Sequence, residues 1–316
     1  MGAAPSVTLA LPAYNEEKRL EQSVYTLLNQ SFTDFELLLG DNASTDATLA
    51  IMHRLAALDS RVRVIPAERN GGAVWNFKRL LTEARGEYFA WVGAHDVYQP
   101  QWLSELLSVI SADERVVLAY PSSLCLLPDY SVFNHIKLPL DTRTMLFEER
   151  VEHICGMSGA GTMIYGLFRS RVAQACPLDI TIRWDGLYLA RMALRGDFVS
   201  VNQPLWYRFY EYIPKSDPNV YQNTLRRQYR TIYAPGSHPP LRHLFPIGYH
   251  LLRLVSDICS IPLPDGLSRR KLAYSACSSY YARSKKNLRH EIRYGVEHLA
   301  RRAGQRIMSW VRPRKP

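Results

Sequence analysis

The sequence predicts an α/β fold, a mostly parallel central sheet flanked by helices, with a basic helical region after it. Two observations predict it. Short apolar runs alternate with segments of helical spacing over the first 120 residues, the signature of consecutive βαβ units. The excess positive charge falls entirely after Tyr210: residues 1–210 hold 19 Lys and Arg against 23 Asp and Glu, whereas residues 211–316 hold 20 against 6. The expected division is therefore 1–210, an α/β domain, and 211–316, a basic helical region.

The elements follow in order. Residues 7–11 form an apolar run ended by Pro12, and residues 17–29 place Leu20, Val24, Leu27 and Leu28 at helical spacing. A second apolar run, 35–39, precedes a Ser/Thr/Asp cluster at 41–48, which can cap a helix through Leu49, Met52, Leu55 and Leu58. Residues 62–65 read as a third strand, 74–84 as a third helix and 88–92 as a fourth strand. A helix over 101–110 and a strand over 116–120 continue the pattern. The glycine-rich segment CGMSGAGTMIYGLFRS comes next, and WDGLYLARMALRGDF reads as a helix from Asp185 to about Gly196. Beyond Tyr210, IPKSDP and APGSHPP read as loops.

Composition excludes several classes. With 316 residues, 47% of them hydrophobic, the chain is neither disordered nor collagenous. Its five cysteines lie far apart and form no CxxC pair, which argues against a zinc or thioredoxin-type centre and for a reducing compartment. No signal-peptide pattern is visible, because VTLALPAYN meets Asn15 and Glu16 with no basic stretch before it. The apolar stretch 241–264 is interrupted by Arg253, Asp257 and several prolines and histidines, too often for a spanning helix. The opening MGAAPS matches a myristoylation pattern through Gly2 and Ser6.

The tail has its own pattern. Leu288, Ile292, Val296, Leu299, Ala303, Ile307 and Trp310 recur along one face of a helix, with Arg289, Arg293, Arg301, Arg302 and Arg306 on its flanks and back. Such a helix can lie in a membrane interface, or it can simply pack on the main domain. Peripheral contact with the inner, cytoplasmic face of the cell membrane is expected. Nucleic acid is not, because no groove-reading or stacking motif accompanies the charge.

Ligands of α/β sheets bind beyond the carboxyl ends of the strands. Polar clusters fall there four times: residues 12–16, 41–46, 70–72, and His95 with Asp96. Residues 12–14 can cradle a ring, and Asp41 can accept hydrogen bonds from a base or ribose. Individually, Ser44, Thr45 and Asp46 read equally well as turn and cap residues.

The ordered motifs LPAYNEEKRLEQSVYTLLNQSFTDFELLLGDNASTDAT and NGGAVWNFKRLLTEARGEYFAWVGAHD resemble glycosyltransferase family 2, inverting enzymes of GT-A fold that use nucleotide-diphosphate sugars. The match is close over residues 6–110 and looser to about 210. The resemblance implies that Pro12, Ala13, Tyr14, Asn15 and Glu16 border the nucleotide, that Asp41 contacts the base, and that Asn76, Ala94 and His95 face the donor. Asp96 would help bind a divalent cation, Mn²⁺ or Mg²⁺, bridging the diphosphate. VGAHD holds a single carboxylate where the family commonly has several aspartates, which implies weak metal affinity there or an ion held mostly by the diphosphate. Asp185 matches the general base, with Asp179 as the alternative, and Arg208 is either a diphosphate ligand or a surface arginine. The processive QxxRW motif is absent, which implies one sugar added at a time. The acceptor expected is a hydroxyl of a glycan or lipid-linked glycan. Two rivals stay open: a GT-A-like nucleotidyltransferase, and a catalytically degenerate nucleotide-sugar-binding module.

Overall fold

The computed structural model describes residues 4–157, 160–210, 228–237 and 240–311. The myristoylation match at Gly2 and the loop IPKSDP lie outside them, as do the side chains of Ala303, Ile307 and Trp310.

Four strands open the chain, β1 (Val7–Ala13), β2 (Phe35–Asp41), β3 (Val62–Pro66) and β4 (Tyr88–Trp91), and three helices connect them, α1 (Leu20–Leu28), α2 (Thr48–Leu58) and α3 (Ala73–Glu83). All four strands are parallel, in the spatial order β3, β2, β1, β4. Their apolar runs are nearly continuous because helices cover both faces: Leu9, Leu11, Leu37 and Leu39 bury on one side, Ala10, Leu38, Phe89 and Trp91 on the other. Helix α1 illustrates the periodicity, burying Leu20, Ser23, Val24 and Leu27 along one face.

The second half of the sheet is mixed. It comprises β5 (Val97–Tyr98), β6 (Val116–Leu126), β7 (Val132–Ile136), β8 (Leu167–Arg169) and β9 (Asp197–Phe209), interleaved with α4 (Trp102–Ser111), α5 (Phe147–Gly156), α6 (Ser170–Ala175) and α7 (Trp184–Ala193). Strand β8 inserts antiparallel between β4 and β6, and β9 runs parallel to β6 with β5 on its outer edge. The strand read from sequence at 116–120 thus runs six residues further, to Leu126, where β7 pairs with it.

Three more helices, α8 (Pro246–Ser260), α9 (Arg269–Ser284) and α10 (Leu288–Val311), follow. Leu254, Ile258, Leu272, Ala276 and Tyr280 pack with Val151, Cys155, Ala190 and Leu194 in a third apolar cluster that joins α8 and α9 to α5 and α7. Arg191, wholly buried on α7, pairs with Asp257 of α8 and, at 2.8 Å, with Asp179. Removing one partner of such a buried pair costs about 3–5 kcal/mol, so the pair ties helix to body. Helix α10 docks through Glu291, Tyr294 and Gly295, where a Cβ would stand 2.9 Å from the Phe245 ring. Its apolar Ile292, Val296 and Leu299 point outward instead. Among the described residues no helix is long and apolar enough to cross a membrane.

Candidate active site

Two cavities meet at the carboxyl edge of the sheet. The first, about 510 Å³, is walled by Pro12 and Ala13 at the end of β1 with Tyr14 and Glu16 after it, by Asn76 and Phe77 of α3, and by Ala94, His95 and Asp96 after β4. Topology explains the gathering: β1 and β4 are adjacent and parallel, so their following turns project over the same edge. Two residues expected there fold the rim instead. Asn15, in the left-handed region at φ 57°, accepts the Thr45 N–H at 2.8 Å and so locks the loop after β1 to the loop after β2. Asp41 is buried, its carboxylate accepting the Ser44 N–H at 3.1 Å, and its neighbour Asn42 lines the cavity in its place. Asn76 lines the wall with its polar atoms committed: Nδ2 donates to the Gly40 carbonyl at 2.8 Å, and Oδ1 accepts from Arg79 at 2.7 Å.

His95 and Glu16 approach to 3.2 Å, and that hydrogen bond raises the imidazole's pKa. Asp96 is buried and its Oδ2 accepts the Trp206 indole N–H at 2.8 Å. Burial pushes its carboxyl pKa up. The preceding turn needs Gly93, since a Cβ there would lie 2.3 Å from Asp96 Oδ2.

The second cavity, about 650 Å³, holds Asp185 at the start of α7. Arg183 enters that helix in the left-handed region at φ 55°. Gly161 opposes the carboxylate so closely that a Cβ would sit 2.1 Å from Asp185 Oδ2. Burial raises the Asp185 pKa, which outweighs the stabilisation of its anion by the Gly186 N–H. Asp179, the alternative base, is engaged by Arg191 and Arg253. Phe77, Tyr165 and Arg208 line both cavities, so the two adjoin across these side chains. The Arg208 guanidinium lies 4.8 Å from the Trp206 ring centroid, stacked on the side chain that holds Asp96.

The donor set at Asp96 does not fit a resident hard cation. Mg²⁺ and Mn²⁺ prefer about six oxygen ligands, and among the described residues no three His, Cys, Asp or Glu side chains converge to hold a metal. Asp96 is committed to Trp206, and Glu16 to His95. Sequence reasoning named neither Tyr165 nor Trp206. The only signal for them was their aromatic character beside the Gly-rich segment and in WYRFYEY.

The fold is that of GT-A glycosyltransferases. Residues 8–163, just under half of the chain, match glycosyl transferase family 2. A putative teichuronic acid biosynthesis glycosyltransferase of Bacillus subtilis, TuaG, is 31% identical over 103 residues, 33% of this chain and 41% of that protein. Alignments to the curated relatives of this kind span only about two fifths of their length. Staphylococcus aureus TarS 1–349, solved with UDP-GlcNAc, superposes with a TM-score of 0.63 at 14% identity, covering 89% of this chain and 74% of that one. A Pyrobaculum calidifontis mannosyltransferase, PcManGT, solved with GDP-Man and Mn²⁺, gives 0.54 at 16% identity, covering 96% and 81%.

Proposed function

We propose that the chain is an inverting glycosyltransferase that moves a single sugar from a nucleoside-diphosphate sugar to a hydroxyl of a glycan or lipid-linked glycan. The observation that carries the reading is that the two cavities adjoin: one bears the family's nucleotide loop, the other the half-buried carboxylate of Asp185, and Arg208 walls both. The nucleotide lies in the first cavity against Tyr14 and Asn42. The acceptor hydroxyl enters the second and gives its proton to Asp185 as its oxygen attacks the anomeric carbon. The bond from that carbon to the diphosphate oxygen breaks on the opposite side, and Arg208 meets the charge that develops on the leaving group. A general base with raised pKa suits this task, because proton transfer is most effective when base and operating pH are close.

Asp185→Asn tests the assignment: kcat is expected to fall about 10³-fold, within the range for a general base, with nucleotide binding unchanged. Full turnover in that variant would end the reading. A cation such as the Mn²⁺ in the mannosyltransferase complex would be brought by the donor's diphosphate.

The outward Ile292, Val296 and Leu299 of α10, flanked by Arg289 and Arg293, support peripheral attachment to an anionic membrane face. Cosedimentation with phosphatidylglycerol vesicles should be strong in low salt and weak in high salt. Equal pelleting with neutral vesicles would remove the electrostatic part of that reading.

A further inference from the structure

The second cavity holds more positive charge than a neutral acceptor needs. Arg183, Arg208, Arg283 and Lys286 line it, and Asp185 is the only carboxylate among the described residues that do. Arg183 is balanced by Glu291 at 3.1 Å, and Arg208 stands on the boundary with the first cavity. Arg283 and Lys286 line the second cavity and not the first, so the donor's diphosphate does not account for them.

Arg283 is fixed in place. Its guanidinium lies 4.3 Å from the Tyr280 ring centroid, and its Nη1 donates to the Met157 carbonyl at 3.1 Å. Its Nη2 would be 3.1 Å from a Cβ on Gly186, the residue that follows the proposed base. The guanidinium thus sits beside Asp185, and Lys286, Ser284 and Asn287 line the same cavity. Arginine's planar fork and lysine's point charge together suit the several oxygens and double charge of a phosphate ester. They would also offset the repulsion that an anionic acceptor meets from the carboxylate that must deprotonate it.

We propose that the acceptor carries a phosphate ester, seated on Arg283 and Lys286 so that a neighbouring hydroxyl reaches Asp185. The proposal rests on the transferase reading above and names its acceptor class. The phosphate belongs either to a water-soluble sugar or polymer or to a lipid carrier, and the same pair of cations would grip both.

The test uses the full chain, first saturated with whichever of UDP, GDP, CDP or dTDP stabilises it, so that the first cavity is filled. Benzyl phosphate is then titrated by calorimetry, with benzyl alcohol as the uncharged control. Saturable binding of the phosphate alone is expected, weakened at least about tenfold, or 1.4 kcal/mol, in Lys286→Glu and Arg283→Gln. Lys286 is exposed, so its variant decides the matter even where Arg283→Gln fails to fold. Asp185→Asn should bind benzyl phosphate as well as the parent or better. Absence of saturable binding, or binding unchanged in Lys286→Glu, overturns the proposal. Farnesyl phosphate binding about tenfold more tightly than benzyl phosphate assigns the group to a lipid carrier, and equal affinity assigns it to a soluble acceptor. Failure of all four nucleotides to bind would sink the transferase reading itself; nucleotide binding without phosphate binding removes the acceptor subsite alone.

Discussion

The first cavity takes most of its wall from residues 12–96, where strands succeed one another in parallel and each following turn arrives at the same edge. The second draws Gly161, Asp185, Arg208 and Arg283 from separate segments, joined by the inserted strand β8, the long strand β9 and helix α9. The cavity proposed for the nucleotide is built from short-range repetition, whereas the one that holds the proposed base is built from contacts distant in sequence. Damage to the first region should therefore weaken donor binding, and damage to the second should lower turnover while leaving donor binding intact.

The largest break in that comparison is expected from Gly161→Ala. The added methyl would stand 2.1 Å from Asp185 Oδ2 and must displace the base. Steady-state assays should show kcat reduced on the order of 10²-fold, as for misplacement of a catalytic group by about an ångström, with nucleotide affinity preserved. A variant impaired only in donor KM would mean that Gly161 serves the first cavity.

Arg208→Ala comes next and should affect both regions, because its side chain walls both. A loss of roughly 10–100-fold in kcat/KM, with a parallel loss of nucleoside-diphosphate affinity, is the expectation for a charge-assisted contact worth about 1.5–3 kcal/mol. Tyr14→Ala should confine its effect to the donor side. Nucleotide Kd should rise about tenfold, as for a lost stacking contact, and kcat at saturating donor should stay near that of the parent.

Smaller effects follow from titration. Asp185 accepts a proton only when ionised, and burial raises its pKa, so activity should be lost on acidification at a higher pH than an ordinary carboxylate would give. Glu291, held by Arg183 and the Ile247 N–H, has its pKa raised by burial from 4.5 to about 7. The stability it contributes is present below pH 4.5 and lost as pH rises through about 7. Glu291→Gln should flatten thermal stability across that window, a change of about 3 kcal/mol. An unaltered pH profile would show that Glu291 titrates alike in the folded and unfolded chain.

Sequence and structure agree where periodicity is local. The apolar runs at 7–11, 35–39, 62–65 and 88–92 each fall within a strand or reach one residue past it, since a strand covered on both faces must be apolar throughout. Pro12, Tyr14, Glu16, His95 and Asp96 share a cavity because they end or follow adjacent parallel strands. Asn15 and Asp41 depart from that pattern, since their short polar side chains find nearby backbone N–H groups and stabilise turns. Strand β8 is not legible in the sequence: Leu167, Phe168 and Arg169 form too short a run to show a period, and their antiparallel insertion is set by β4 and β6 on either side. The spacing of apolar residues along α10 does mark a helix. Which face docks is decided by Gly295, whose missing side chain admits the Phe245 ring.

Arg208 belongs to two cavities with one positive charge. In the proposed reaction that charge would be taken up by the departing nucleoside diphosphate, leaving Arg283 and Lys286 to hold an anionic acceptor. Spent nucleotide in the first cavity should then leave phosphate binding in the second intact, so that the next acceptor can be seated before the nucleotide leaves. One guanidinium would in this way mark the border between the two substrates.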